Sequence, residues 1–199
     1  MNINKEAIQS YSNSLLNTYS DLAPEELSFI LNEVTITKLD KKAFYLNAGE
    51  VQQSMGFIFK GLLRSYYIDE AGKEITVSFI KENAYASDYS AFLSSKPSKF
   101  YIQALEPCIL VNLTHLSMQE CYARFKNFEK YGRLVAESIL VNRHNRIESF
   151  LFENAEDRYL NFVEQNEGLL NRISLTHLAS YLGIERQSLT RIRKKLLKK

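Results

Sequence analysis

SLTHLASYLGIERQSLTRIRKK, residues 174–195, decides how this chain is read. Ser174 stands where it can cap a helix beginning at Leu175, because a serine oxygen accepts from the unpaired N–H groups of a first turn. Leu175, Leu178, Ala179 and Leu182 fall on one face of that helix. Ala179 is small, as two closely crossing helices require. Gly183 comes four residues later, where the chain must turn through a left-handed conformation that glycine adopts without steric cost. Ile184 plugs the angle between the helices. A second helix is expected from Glu185 to about Leu197, burying Leu189, Ile192 and Leu196 and turning Arg186, Gln187, Thr190, Arg191 and Lys194 outward. A helix, a short turn and a cationic second helix make the unit that enters a DNA major groove.

Charge follows the same division. The 199 residues carry a formal net charge of +2. Residues 172–199 hold eight Lys or Arg against the single acid Glu185, a local charge of +7, which leaves −5 for the rest. A cationic end on an acidic body points to a polyanion held at one place.

Upstream, residues 155–166 make an amphipathic helix with Tyr159, Leu160, Phe162 and Val163 apolar, and Gly168 stands just past its end. Residues 117–153 contain no proline, and apolar residues recur from Phe125 through Leu134, Val135, Ile139, Leu140, Ile147 and Leu151. The part from about 127 to 152 is a helix of roughly 25 residues, about 37 Å long. A helix of that length beside a compact β domain is expected to pair with a second copy of the chain. Packing on its own β domain is the alternative.

From residue 35 to 113 the texture changes to short β-rich runs: Thr35–Leu39, 43–46, 56–59, 62–68, Glu74–Ile80, 100–104 and 108–113. Asn47-Ala48-Gly49-Glu50, Asp69-Glu70-Ala71-Gly72-Lys73 and Glu106-Pro107 separate them as turns. Such spacing predicts an antiparallel jelly roll. The first forty residues read as helical, with Pro24 opening a second helix. The expected fold class is therefore α+β. A double-stranded β-helix (jelly roll) with N-terminal helices occupies 1–115, a dimerisation helix 116–152 and a helix-turn-helix 153–199.

Several function classes drop out. Cys108 and Cys121 form no C-x-x-C pair, and His115, His144 and His177 share no ligand spacing, so no metal is expected. No nucleophile-and-base constellation and no Gly-rich phosphate loop occurs, so the chain is not expected to be an enzyme. No apolar run approaches the roughly 20 residues of a membrane span, and the N-terminus lacks a signal-peptide core. A cytoplasmic protein without membrane contact is expected.

LTHLASYLGIERQSLTRIRKKL (175–196) resembles the DNA-binding motif of the Crp/Fnr family of regulators. FIFKGLLRSYYIDEAGKEITVSFI (57–80) is similar to that family's sensory roll, and AEDRYLNFVEQNEGLL (155–170) to its linker helix. The resemblance implies a cyclic-nucleotide-binding-like roll, a homodimer, double-stranded DNA as partner, RNA polymerase as a further partner, and control by a small-molecule effector. It implies base contacts by Arg186, Gln187 and Arg191. Gln187 stands where the family commonly has Glu, which predicts adenine rather than cytosine at that base. Backbone contacts fall to Ser188, Thr190, Lys194, Lys195 and Lys198. The hairpin wing that follows in many members is not recognisable in the few residues left, so phosphate contacts are expected to rest on the Lys198-Lys199 tail. The rival reading is a signalling module that uses its C-terminal helices for protein contacts.

The family's nucleotide-binding members hold a phosphate with Gly-Glu at the start of a short helix and a later Arg. Here Ser87-Asp88 stands at Gly-Glu and Ser98-Lys99 near the Arg. Lys96 or Lys99 offers a point charge but not the planar fork of Arg, which argues against a cyclic nucleotide. Asp88, Ser87, Ser98, Lys99 and Tyr101 remain the candidate pocket for another small ligand, and a roll without ligand stays equally open. No cofactor is otherwise implied.

Overall fold

The computed structural model describes residues 2–197. Asn2 accepts from the N–H of Asn4 and opens α1 (Ile3–Thr18), which buries Ala7, Tyr11 and Leu15. Pro24 is the first residue of α2 (Pro24–Glu33), where the Glu26 carboxylate takes the N–H of Ala23 at 2.7 Å. The strands follow: β1 (Thr35–Leu39), β2 (Phe44–Leu46), β3 (Ser54–Lys60), β4 (Leu63–Ile68), β5 (Glu74–Ile80), β6 (Tyr85–Ala86), β7 (Tyr101–Ala104) and β8 (Cys108–Thr114), with α3 (Tyr89–Ser94) between β6 and β7. Two four-stranded sheets result, in the orders β1-β8-β3-β6 and β2-β7-β4-β5. This is the expected jelly roll. β6 and α3 are additions; both are too short to show a period in the sequence.

The two central strands of the first sheet are buried on both faces, which is why they read as unbroken apolar runs. Ile58 and Leu110 point into the roll beside Leu63 and Ile102. Phe57 and Val111 point the other way, against Tyr11 of α1 and Ile30 of α2. Burying each such side chain is worth about 1.5–3 kcal/mol. Thr114 caps α4 (His115–Arg124) by accepting from Ser117 N–H at 3.0 Å. The sequence reading runs a single helix through here. The structure breaks it at Phe125, whose extended backbone (φ −131°) turns its ring edge-on to Phe29, 5.4 Å between centroids, while Arg124 lies over Phe29 at 4.8 Å.

α5 (Lys126–Phe152) then runs for 27 residues. Its first half buries Phe128, Tyr131 and Val135. The Tyr131 hydroxyl shares a short hydrogen bond with that of Tyr85 on β6, and burial pushes both phenols well above their ordinary range. Its second half leaves Leu140, Ile147 and Leu151 more than half exposed. These three repeat at seven and four residues, the spacing of a coiled-coil seam.

Contacts divide the chain into two units, Met1–Ser65 with Phe79–Leu140 and Tyr66–Ser78 with Val141–Lys199. The division at 115 and 152 drawn from the sequence follows elements. The contacts instead group the tip of the β4–β5 hairpin with the C-terminal helices. No helix among the described residues is long and apolar enough to cross a membrane.

Candidate nucleic-acid interface

Three helices build the C-terminal end. α6 (Ala155–Gln165) is capped by Asn154, whose side chain accepts from Glu156 N–H (2.9 Å) and Asp157 N–H (3.1 Å). Gly168 ends this stretch in the left-handed region, ahead of a short 3-10 turn at Leu169–Asn171. Ser174 caps α7 (Leu175–Leu182) at 3.0 Å from His177 N–H, as its position predicts. α8 (Arg186–Leu196) follows after a two-residue link. Leu178, Ala179, Leu182 and Leu189 are buried together with Tyr159 and Phe162 of α6. Ile192 is half-buried, on the side expected for it.

The turn between α7 and α8 is held from three sides. Gly183 adopts φ +69°, and its N–H and that of Ile184 return to carbonyls of α7, Ile184 to Ala179 at 3.0 Å. Arg146 of α5 lies between the rings of Tyr181 (3.8 Å) and Phe150 (4.2 Å) and donates to the Tyr181 carbonyl. Arg158 of α6 donates through Nε to the Leu182 carbonyl at 3.1 Å. The last carbonyls of α7 thus receive two guanidinium donors, which complement the negative end of a helix. A Cβ on Gly183 would stand 2.7 Å from Phe150 Cε1. Gly183→Ala therefore meets both left-handed strain, about 1–2 kcal/mol, and the Phe150 ring. Its melting temperature is expected to fall by about 4 °C in a calorimetric scan.

Arg186, Gln187, Arg191, Lys194 and Lys195 are exposed on α8. The three expected base readers therefore share an accessible helix. The expected backbone contacts divide differently. Thr190 is half-buried and its hydroxyl donates to the Arg186 carbonyl at 3.0 Å. Ser188 accepts from Arg191 Nη2 at 3.1 Å. Lys195 pairs with Glu156 of α6 at 2.6 Å. Arg191, Lys194, Lys195 and Leu197 line a shallow groove beyond. Lys198 and Lys199 lie outside the described residues.

In the roll, Gln52 organises the candidate pocket, a role no local pattern announces. It is buried, and its Oε1 accepts from Asp88 N–H (3.0 Å) and Ser87 Oγ (3.2 Å). Asp88 Oδ2 accepts from Ser98 Oγ at 2.8 Å, and Oδ1 caps α3 at Ala91 N–H. Lys99 is exposed, and Tyr101 packs on Phe44, 5.9 Å between centroids. The structure thus joins Ser87, Asp88 and Ser98 through Gln52 and the Asp88 carboxylate. Among the described residues no cluster suits a metal ion.

Residues 36–125 match the family model for the cyclic nucleotide-binding domain. The cAMP-activated global transcriptional regulator CRP of Pasteurella multocida (strain Pm70) is 19% identical over 180 residues, 85% of this chain and 86% of that protein. The solved structure of CLP from Xanthomonas campestris, described as a c-di-GMP responsive global regulator, superposes with a TM-score of 0.70 at 12% identity, covering 88% of this chain and 92% of that one. FixK2 from Bradyrhizobium japonicum gives 0.69 at 16% identity, covering 83% and 85%. The chain has the Crp/Fnr fold, and its roll is similar to a cyclic nucleotide-binding domain. Within this Crp/Fnr roll, however, the residues do not fit a nucleotide phosphate. Gln52 takes the Asp88 N–H, the Asp88 carboxylate itself occupies the start of α3, and residues 82–105 contain no arginine. A phosphate there would face the Asp88 carboxylate, and residues 82–105 offer it no bidentate partner.

Proposed function

We propose that this chain is a sequence-specific DNA-binding transcription regulator that acts in the cytoplasm as a homodimer. The observation that carries the reading is α8 itself, with Leu189 fully buried beneath it and Arg186, Gln187 and Arg191 exposed above. Arginine bonds guanine bidentately, glutamine bonds adenine, and a helix N-terminus reaches base edges first. The seam of Leu140, Ile147 and Leu151 on α5 supplies the second copy. Two heads a helical turn apart, roughly 34 Å, read a pseudo-palindrome. The relatives differ in effector, one being cAMP-activated and another c-di-GMP responsive. With a roll that does not fit the phosphate, the effector here belongs to another chemical class, and it acts by shifting the population of dimer geometries.

The test is selection of binding sites from random duplexes, followed by titration with salt. A dimer neutralising about six phosphates has a slope near −5 in log K against log salt and loses roughly a thousandfold in affinity between about 50 and 200 mM. A flat salt response with no enriched sequence overturns the reading and favours a protein-contact module.

A further inference from the structure

Only Glu153 and Asn154 stand between α5 and α6. Each linking residue keeps two soft dihedrals, so the link by itself leaves the direction of the following helices open. Asn154 spends its side chain on the first turn of α6, and the direction is set elsewhere. Three contacts set it, and all converge on the turn from which α8 starts. The Phe150 ring of α5 closes on Gly183. The Arg146 guanidinium lies flat between Phe150 and Tyr181 and donates to the Tyr181 carbonyl. Arg158 spans both sides of the link: Nη1 donates to the Glu153 carbonyl at 2.6 Å and Nε to the Leu182 carbonyl at 3.1 Å. Its guanidinium also stands over Phe150, 5.0 Å from the ring centroid.

Capping alone does not call for this arrangement, because water satisfies the last carbonyls of an exposed helix. A planar cation held between rings of two different helices resists tilt and twist, which a water does not. Holding it there has a cost: burial pulls the Arg146 guanidinium below its ordinary range, and the neighbouring Arg158 adds to this, against the opposing pull of Tyr181 and the Glu153 carboxylate. The core of the head, with Leu178, Leu182 and Leu189 packed on Tyr159 and Phe162, is drawn from α6, α7 and α8. Arg146 of α5 therefore supplies direction to a head that has its own core. Arg146 and Phe150 each stand one position before Ile147 and Leu151 of the exposed seam. The face that grips the head thus lies about 100° around α5 from the face offered to a second copy.

We infer that Arg146, seconded by Arg158, sets the separation of the two operator half-sites: the arginines lock the head to α5, so the pairing of two α5 helices fixes the distance and rotation between two α8 helices. The inference rests on the dimeric DNA-binding reading above and adds its spacing specificity. Both arginines are positioning residues, acting through the carbonyls of Tyr181 and Leu182 on the start of α8.

The test uses the full chain and duplexes that carry two copies of the half-site recovered by selection. The spacer has its selected length or is one or two base pairs longer or shorter. Each base pair moves a half-site about 3.4 Å along the duplex and about 35° around it, a displacement that a locked head cannot follow. Wild type is expected to prefer the selected spacer over its neighbours by at least about tenfold, the loss of a bidentate base contact. Arg146→Met keeps an unbranched, polarisable side chain between the rings and removes the plane, the charge and the donor. It is expected to bring the spacer preference down to about twofold, while affinity for a duplex with a single half-site stays within about threefold of wild type. The lost charge weakens binding at every spacer length alike and cancels from the ratio. Arg158→Met is expected to shift the preference in the same direction. Arg146→Met protein that keeps the wild-type spacer preference overturns the inference. So does loss of single half-site binding, which reduces the arginine to a part of the head's fold, and so does a monomer in sedimentation velocity, which moves it into the seam. Wild type that binds every spacer equally well overturns the inference and leaves DNA binding standing. A selection that enriches no half-site overturns the DNA-binding reading itself.

Discussion

Arg186→Ala is expected to cost about 1–3 kcal/mol at each half-site and to flatten the preference at one base pair of the operator. The side chain is exposed in the first turn of α8, so its truncation removes a contact without disturbing Leu189 and the core beneath. A dimer suffers the loss twice, so affinity for the selected site falls by roughly one and a half to four orders of magnitude, while binding to random duplex falls only by the lost charge. Lys194→Ala supplies the contrast. It lies two turns further along and is exposed. Its loss is expected to reduce the salt slope by about one per head and leave the base preference intact. Gln187→Glu is informative in the other direction: a carboxylate accepts from cytosine, so the selected half-site is expected to exchange adenine for cytosine at one position. Competition binding with single-base operator variants measures all three. Arg186→Ala protein that keeps full discrimination at every base removes α8 from its assigned role.

Ile147→Asp is expected to dissociate the dimer without unfolding the chain. Ile147 is 58% exposed and lies in line with Leu140 (69%) and Leu151 (69%), so an aspartate there meets water in a single chain. In a symmetric pair it meets its own copy across an apolar seam. Desolvating two like charges costs several kcal/mol, which moves the dimer constant by at least about a hundredfold. Sedimentation velocity is expected to show a monomer with wild-type circular dichroism. The monomer retains one head, so its salt slope falls to about half of the dimer's. A variant that sediments as a dimer removes this seam as the interface.

Both experiments act on elements that the sequence announces, and the reason lies in how those elements are encoded. Ser174, Ala179, Gly183 and Leu189 act on partners within a few residues, so a cap, a crossing, a turn and a buried face can be read from their spacing alone. β1 and β5 fall at the residues expected because alternation and turn residues are also local. The break at Phe125 escapes such a reading, because Phe29, almost a hundred residues away, draws the ring out of helical register.

The functional surface divides along the same line. Chemistry tied to helical position, namely the exposed Arg186, Gln187 and Arg191, belongs to the linear chain. The partners that restrain it do not. Lys73 meets Glu185 across 112 positions, Ser180 meets Thr76 across 104, and Arg146 reaches the Tyr181 carbonyl across 35. Gln52 takes the Asp88 N–H across 36. No short-range period records a pairing at that separation. It exists only once folding has brought the groups within bonding distance, and until then a lysine on a hairpin reads as one more solvated charge.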